Sequence, residues 1–198
     1  EPDLISTTEL TTNVSCNGGS DGTATLTISG GTSPYVSNWN AVDTNNLSVG
    51  IYTYIITDAN SCTFSDSINI SEPSVLSVTS TQTNVNCNGN STGSVTLYIS
   101  GGTTDYTVNA FGTSITLPFG LDSISSSTLS PSGVPAGTYP YTVNDNNGCS
   151  FAGVVTITEP NLLYSSSTQT NVSCYGLSDG SATVNIFGGV ADYILSWG

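Results

Sequence analysis

The chain of 198 residues contains no lysine, no arginine and no histidine, although average usage would place about two dozen basic side chains in it. That absence excludes whole classes of function. Without guanidinium or ammonium groups nothing clamps phosphate, so no nucleic acid partner is expected, nor a polybasic hold on anionic lipid. Without imidazole or amine, Ser-His-Asp, Cys-His and Schiff-base chemistry cannot be assembled, and zinc loses its usual nitrogen ligand. No run of 18 apolar residues occurs, so no direct membrane insertion is expected. The chain opens on Glu1-Pro2 with no signal-peptide pattern and stops inside a recognisable unit, which reads as an internal fragment whose targeting signals lie elsewhere.

What is present is acid without base. Fourteen Asp and Glu give a formal net charge of −14. Such a chain is soluble and self-repelling. Its carboxylates must be solvated, bonded to backbone N–H groups, or neutralised by a metal or another chain. Ser, Thr and Asn fill the remaining polar positions, as in a secreted, β-rich surface.

Aligned on its cysteines, the chain repeats. Cys16-Asn17-Gly18 leads to Gly22, then Ala24, Leu26 and Ile28, then Gly30-Gly31, Tyr35 and Trp39. Cys87-Asn88-Gly89 leads in the same register to Gly93, Val95, Leu97, Ile99, Gly101-Gly102 and Tyr106, and Cys174-Tyr175-Gly176 leads to Gly180, Ala182, Val184, Ile186, Gly188-Gly189, Tyr193 and Trp197. A second half recurs as well: Gly50, Tyr52, Tyr54, Ile56, Asp58, Asn60, Cys62 and Phe64 match Gly137, Tyr139, Tyr141, Val143, Asp145, Asn147, Cys149 and Phe151. Glu72-Pro73 and Glu159-Pro160 close these halves, and Glu1-Pro2 has the same form. The expected domains are therefore residues 1–71, 72–158 with an insertion between Tyr106 and Gly137, and a truncated third repeat at 159–198.

Residues 23–29 alternate apolar and hydroxyl side chains, which is the period of a half-buried strand. Residues 52–57 and 64–70 are rich in aromatic and β-branched types between turn residues. No stretch reads as a helix. The predicted fold is all-β, a tandem array of immunoglobulin-like antiparallel β-sandwich modules, each with one disulfide. Pro140 interrupts one strand and is expected at an edge or bulge.

A module of this size buries roughly 60% of its unfolded surface and usually needs a staple. The repeat suggests Cys16–Cys62 and Cys87–Cys149 as disulfides, with the partner of Cys174 missing. Each loop closure would stabilise by roughly 4 kcal/mol in the chain-entropy model. Reduced core cysteines are the alternative.

Asp58, Asn60, Asp145 and Asn147 recur at one repeat position, and with Glu72 and Glu159 at the junctions they are candidate calcium ligands; no other cofactor is expected. The competing reading is an Asx turn, with the Glu-Pro pairs as stiff linkers. Tyr35, Trp39, Tyr106, Tyr193 and Trp197 suit either a sugar-stacking platform or internal packing, and their fixed register favours packing. Paired carboxylates are the one catalytic constellation this alphabet permits, yet Asp21 is Thr92 in the second unit. No enzyme is expected, and no catalytic residue is assigned. The insertion, with Phe111, Ile115, Leu117, Phe119, Leu121 and Ile124, reads as an extra hairpin covering the sheet, or else as an exposed apolar surface for a partner.

The motifs Cys-x-Gly-x3-Gly, Gly-Gly-x3-Tyr-x3-Trp, the Tyr-x-Tyr strand running into Asp-x-Asn-x-Cys, and the terminal Glu-Pro together resemble the SprB-type repeat of very large cell-surface adhesins of gliding Bacteroidota. The second unit departs from the pattern by lacking the Pro-Tyr and Trp features. The resemblance implies an extracellular, cell-surface protein exported by type IX secretion. Its repeats would act as a stalk or as adhesion modules, partnered by neighbouring repeats and by a surface polysaccharide or other adhesive substrate. In that lineage O-glycans sit on Asp-Ser/Thr-apolar triplets, which points to Ser67 and Ser123. A carbohydrate-binding or accessory module of a secreted enzyme, or a segment of an extracellular filament, stands as the alternative.

Overall fold

The computed structural model describes residues 2–118, 120, 123–125 and 133–197. Every regular element among them is a β-strand. In the first unit these are β1 (Ser6–Thr12), β2 (Thr23–Ser29), β3 (Val36–Asn38), β4 (Gly50–Thr57) and β5 (Thr63–Ile70). In the second they are β6 (Ser77–Thr83), β7 (Ser94–Ser100), β8 (Tyr106–Ala110), β9 (Thr113–Leu117), β10 (Ser123–Ser125), β11 (Gly137–Asn144) and β12 (Ser150–Ile157). The third contributes β13 (Tyr164–Thr170) and β14 (Ser181–Phe187).

All pairings are antiparallel. The first unit has a β1-β2 sheet and a β3-β4-β5 sheet; the second has β10-β7-β6 and β12-β11-β8-β9. The chain changes sheet after its second strand in both units, an order compatible with the immunoglobulin-type sandwich. The alternation read in residues 23–29 is β2, which buries Ala24 and leans Leu26 and Ile28 on the core. The facing sheet supplies Tyr54, Ile56, Ile68 and Ile70, and Leu47 closes the gap between the layers. In the second unit Val95, Leu97 and Ile99 of β7 meet Val108 of β8, Tyr141 and Val143 of β11, and Val155 and Ile157 of β12.

Among the described residues the strands of the insertion do not lie over a sheet, as the sequence suggested; they widen both sheets. β9 joins the edge beside β8 through a tight turn at Phe111-Gly112, both at positive φ (54° and 77°), and β10 joins the edge of the other sheet beside β7. The cause is the alternation itself, which sends Leu117 and Ile124 into the core and packs Ile115 and Phe111 against it. Phe119 and Leu121 of the insertion lie outside the described residues, as does Glu1. Pro140 sits in β11 opposite Val154 of β12, while the ladder to β8 begins only at Tyr141. It thus occupies a locally one-sided position, where a missing N–H costs no second ladder.

In the third unit, among the described residues, the face bearing the half-buried Val184 and Ile186 has no second sheet over it. With Leu163, Tyr193 and Ile194 it lines an open groove. The matching residues of the second unit, Leu97 and Ile99, are fully buried.

Candidate functional site

Strand direction gives each unit two poles. β1 leads up to Cys16, β2 returns to Gly30-Gly31, β3 climbs again, β4 descends to the Asp58–Cys62 turn, and β5 climbs to Glu72. Cys16 and Glu72 therefore mark the upper pole, and Gly30, Gly31, Asp58 and Cys62 the lower one.

The lower pole is built around a buried carboxylate. Asp58 Oδ1 accepts from the backbone N–H groups of Asn60 (2.8 Å) and Cys62 (2.9 Å), and Oδ2 accepts from Thr32 N–H (3.0 Å). Burial works against its charged form, yet the N–H groups of Cys62, Thr32 and Asn60 outweigh burial and hold its pKa below the usual carboxylate value. Asp145 repeats the arrangement with Asn147, Cys149 and Thr103 at 3.0, 2.8 and 2.8 Å. This is the Asx-turn geometry. Both carboxylate oxygens face N–H donors, so the chain's negative charge is met here by backbone amides. The adjacent glycines let the incoming chain lie close. Gly30 has φ +71°, and a Cβ there would stand 1.9 Å from the Leu4 carbonyl oxygen; at Gly101 the same clash is 2.0 Å from Val75.

The upper pole is a Cys-x-Gly loop closed by a carboxylate. Ser15 donates to Asp21 through both N–H and hydroxyl, and these bonds hold the Asp21 carboxyl below its ordinary pKa. Ser173 and Asp179 do the same in the third unit, while in the second Thr92 Oγ1 accepts from Asn86 N–H at 2.9 Å. Val14 N–H donates to the Ser71 carbonyl at 3.0 Å, pinning the loop to the end of β5.

The two poles meet at the junction between the first and second units. Gly18 N–H donates to Glu72 Oε2 at 2.6 Å, and Asn17 Nδ2 donates to the Pro73 carbonyl at 3.1 Å. Asn147 Nδ2, from the lower pole of the second unit, donates to the Ser15 carbonyl at 3.0 Å. Beside these bonds Cys16 is joined to Cys149 by a disulfide, with Cα atoms 5.6 Å apart and 133 residues between them in sequence separation.

That bond corrects the expected pairing. Cys16–Cys62 and Cys87–Cys149 are not formed; Cys62, Cys87 and Cys174 are free and exposed. The reason is geometric. The eight residues of β5 separate Cys62 from the pole that carries Cys16, about 25 Å at strand rise, whereas a disulfide spans Cα atoms no more than about 7 Å apart. β12 separates Cys87 from Cys149 in the same way, because Val85 N–H bonds the Thr158 carbonyl at the far end of that strand.

The other candidates fall around this framework. Glu159 repeats the role of Glu72, accepting from Gly89 N–H at 2.7 Å and from Asn88 Nδ2 at 3.1 Å. Among the described residues no three His, Cys, Asp or Glu side chains cluster as a metal site. Tyr35 and Tyr106 donate their hydroxyls to the carbonyls of Gly30 and Gly101 at 2.6 and 2.8 Å, and Tyr193 does so to Gly188; all three tie down the Gly-Gly turn. Trp39 packs on Tyr54 with ring centroids 4.8 Å apart. Ser67 and Ser123 are exposed on β5 and β10, each followed by a buried isoleucine; Asp122 of the second triplet lies outside the described residues.

Sequence reasoning missed Asn17, Asn88 and the Ser15 carbonyl as junction groups. The joint recurrence of Cys-Asn-Gly and Glu-Pro in the first two units was the available signal. It also missed the contact of Tyr54 with Glu9 and Thr7, at 2.5 and 2.7 Å, for which no repeat signal exists because Ser80 and Val78 stand there in the second unit.

What these features define is a tandem β-sandwich repeat array whose most elaborate polar structure is the joint between its units. The chain belongs to the SprB repeat family, whose model matches residues 8–44, 79–107 and 166–197. This is a family of repeats in cell-surface proteins and not a family of enzymes. The matched stretches contain Cys16, Cys87 and Cys174, while Cys62 and Cys149 fall outside them. No curated protein and no solved structure matches the chain.

Proposed function

We propose that this chain is a structural or adhesive segment of a large secreted gliding-type surface protein, a stalk whose units are held end to end. The observation that carries the reading is the junction, where a Glu-Pro linker, an Asn-Gly loop and a disulfide fix one unit on the next. Rigid spacing is what a stalk needs and an isolated binding module does not. The outward partners are an adhesive substrate such as a surface polysaccharide, and the lateral partners are neighbouring repeats. Internal packing of Tyr35, Trp39 and Tyr106 speaks against the sugar-platform alternative in the first two units, whereas Tyr193 and Trp197 of the third are exposed.

The test is made on cells that produce the parent protein. Antibodies raised against residues 1–158 should label intact cells, and deletion of these units should reduce attachment to a polysaccharide-coated surface while secreted hydrolase activity stays unchanged. Loss of a hydrolase activity with unchanged attachment would overturn the proposal in favour of an accessory module.

A further inference from the structure

We infer that Cys62 is the receiving cysteine of a further inter-unit disulfide, made to the Cys-x-Gly loop of another unit stacked on the lower pole of the first. Cys87 and Cys174 are the giving cysteines of the same linkage. Along a stack of units the bonds then run from each unit to the next, and none closes within a unit. The inference rests on the repeat geometry and not on the surface role proposed above.

The lower poles of the first and second units are built alike. Asp58 and Asp145 organise the same turn, and Cys62 and Cys149 each donate N–H to Oδ1 of their aspartate. Asn60 Nδ2 and Asn147 Nδ2 bond Thr32 Oγ1 and Thr103 Oγ1 at 3.0 and 3.1 Å. Among the described residues only the pole of the second unit is occupied, by Ser15 and Cys16 of the preceding loop. In the first unit the corresponding place is an open groove of about 290 Å³ lined by Pro2, Asp3, Leu4, Ile5, Asp58 and Cys62. Its natural occupant is the loop that fills the equivalent place one unit on.

The giving side is equally preformed. Gly19, Asn90 and Leu177 donate N–H to the carbonyls of Cys16, Cys87 and Cys174, so one loop shape recurs three times. At the second junction Glu159 and Pro160 already engage Asn88 and Gly89 as Glu72 and Pro73 engage Asn17 and Gly18. The Glu-Pro and Asn-Gly contacts of the first junction are therefore reproduced beside Cys87, without the receiving turn that supplies Asn147 and Cys149 there.

The bond forms by exchange with a small organic disulfide. The Cys62 thiolate attacks a sulfur of the oxidant and expels one thiolate. The loop cysteine's thiolate then attacks the Cys62 sulfur of the mixed disulfide and expels the second. Two protein thiols lose two protons and two electrons, and the oxidant leaves as two thiols.

The full chain tests this. Concentrated protein in about 1 M salt, where screening to about 3 Å suppresses the repulsion between highly acidic copies, is oxidised with glutathione disulfide, alkylated and mapped by non-reducing peptide mass spectrometry. A second copy supplies the stacked unit. The expected result is the internal Cys16–Cys149 peptide together with head-to-tail multimers in which Cys62 of one copy is joined to Cys174 or Cys87 of another. Multimers should vanish in Cys62→Ser and in the Cys87→Ser/Cys174→Ser double variant, both of which keep the internal bond. The inference is overturned if multimers persist in Cys62→Ser, if Cys62 pairs with Cys16 or with another Cys62, or if Cys62 stays alkylatable. Absence of the Cys16–Cys149 peptide overturns it at its base.

Discussion

The first and second units share a register but close their cores by different means. In the first, Trp39 folds back on Tyr54 and Leu47 plugs the layer gap, and one sheet consists of β1 and β2 alone. In the second, Ala110 stands at the Trp position and the insertion supplies the missing mass. Phe111 packs on Tyr139 with centroids 4.9 Å apart, Leu117 and Ile124 are buried, and each sheet gains a strand. The Leu47 bridge to Gly22 survives as the Val134 bridge to Gly93. One frame thus tolerates either a single large aromatic or two extra strands. The unit with the larger core has the wider margin, since hydrophobic stabilisation grows with the apolar area removed from water.

The largest expected effect comes from removing what ties these unequal partners together. Cys16→Ser should cost about 5 kcal/mol in the chain-entropy model for a loop of this length. Calorimetry should then resolve two transitions, the first unit melting at the lower temperature; a single unshifted transition would break the comparison. A smaller effect comes from matched core truncations. Ile70→Ala and Ile157→Ala remove the same buried residue at the same repeat position, at a cost of about 2–5 kcal/mol each. Amide exchange should quicken throughout β4 and β5 in the first variant, whereas β11 and β12 should stay largely protected in the second. Equal loss of protection would show that the insertion adds no margin.

The smallest effect is read in alkali. Burial, reinforced by the Glu9 hydrogen bond, pushes the Tyr54 phenol up to about 12, while Tyr141 is raised by burial alone. A phenol whose folded pKa is raised contributes stability that is intact below its ordinary value near 10. That contribution is lost as pH climbs towards 12. Phenolate absorbance should therefore show a late-titrating tyrosine that disappears in Tyr54→Phe and titrates earlier in Glu9→Gln. No change in Glu9→Gln would sharpen the comparison by leaving burial as the common cause in both units.

Much of this was legible in the sequence. The alternation in residues 23–29 gave β2, and the fixed spacing of Tyr35 and Tyr106 pointed to internal roles that the hydroxyl bonds to Gly30 and Gly101 now explain. The disulfide was not legible from spacing. Two cysteines that recur once per unit are spaced identically whether they bond within a unit or across a joint, and only strand parity tells them apart. Counting strands from Cys16 to Cys62 puts them at opposite poles, but that count needs β3, a three-residue strand with no alternation long enough to read. The insertion misled for a related reason, because its alternation fits an edge strand as well as a covering hairpin.

The Cys16–Cys149 bond also decides how the segment would carry tension. A pull along the chain enters through β1, crosses the sulfurs and leaves through β12, so the residues from Asn17 to Gly148 lie outside the covalent load path. At the reach of an extended chain that withholds on the order of 450 Å of backbone from stretching. Under drag, two such units would yield like a short cord, and reduction of one bond would release the slack.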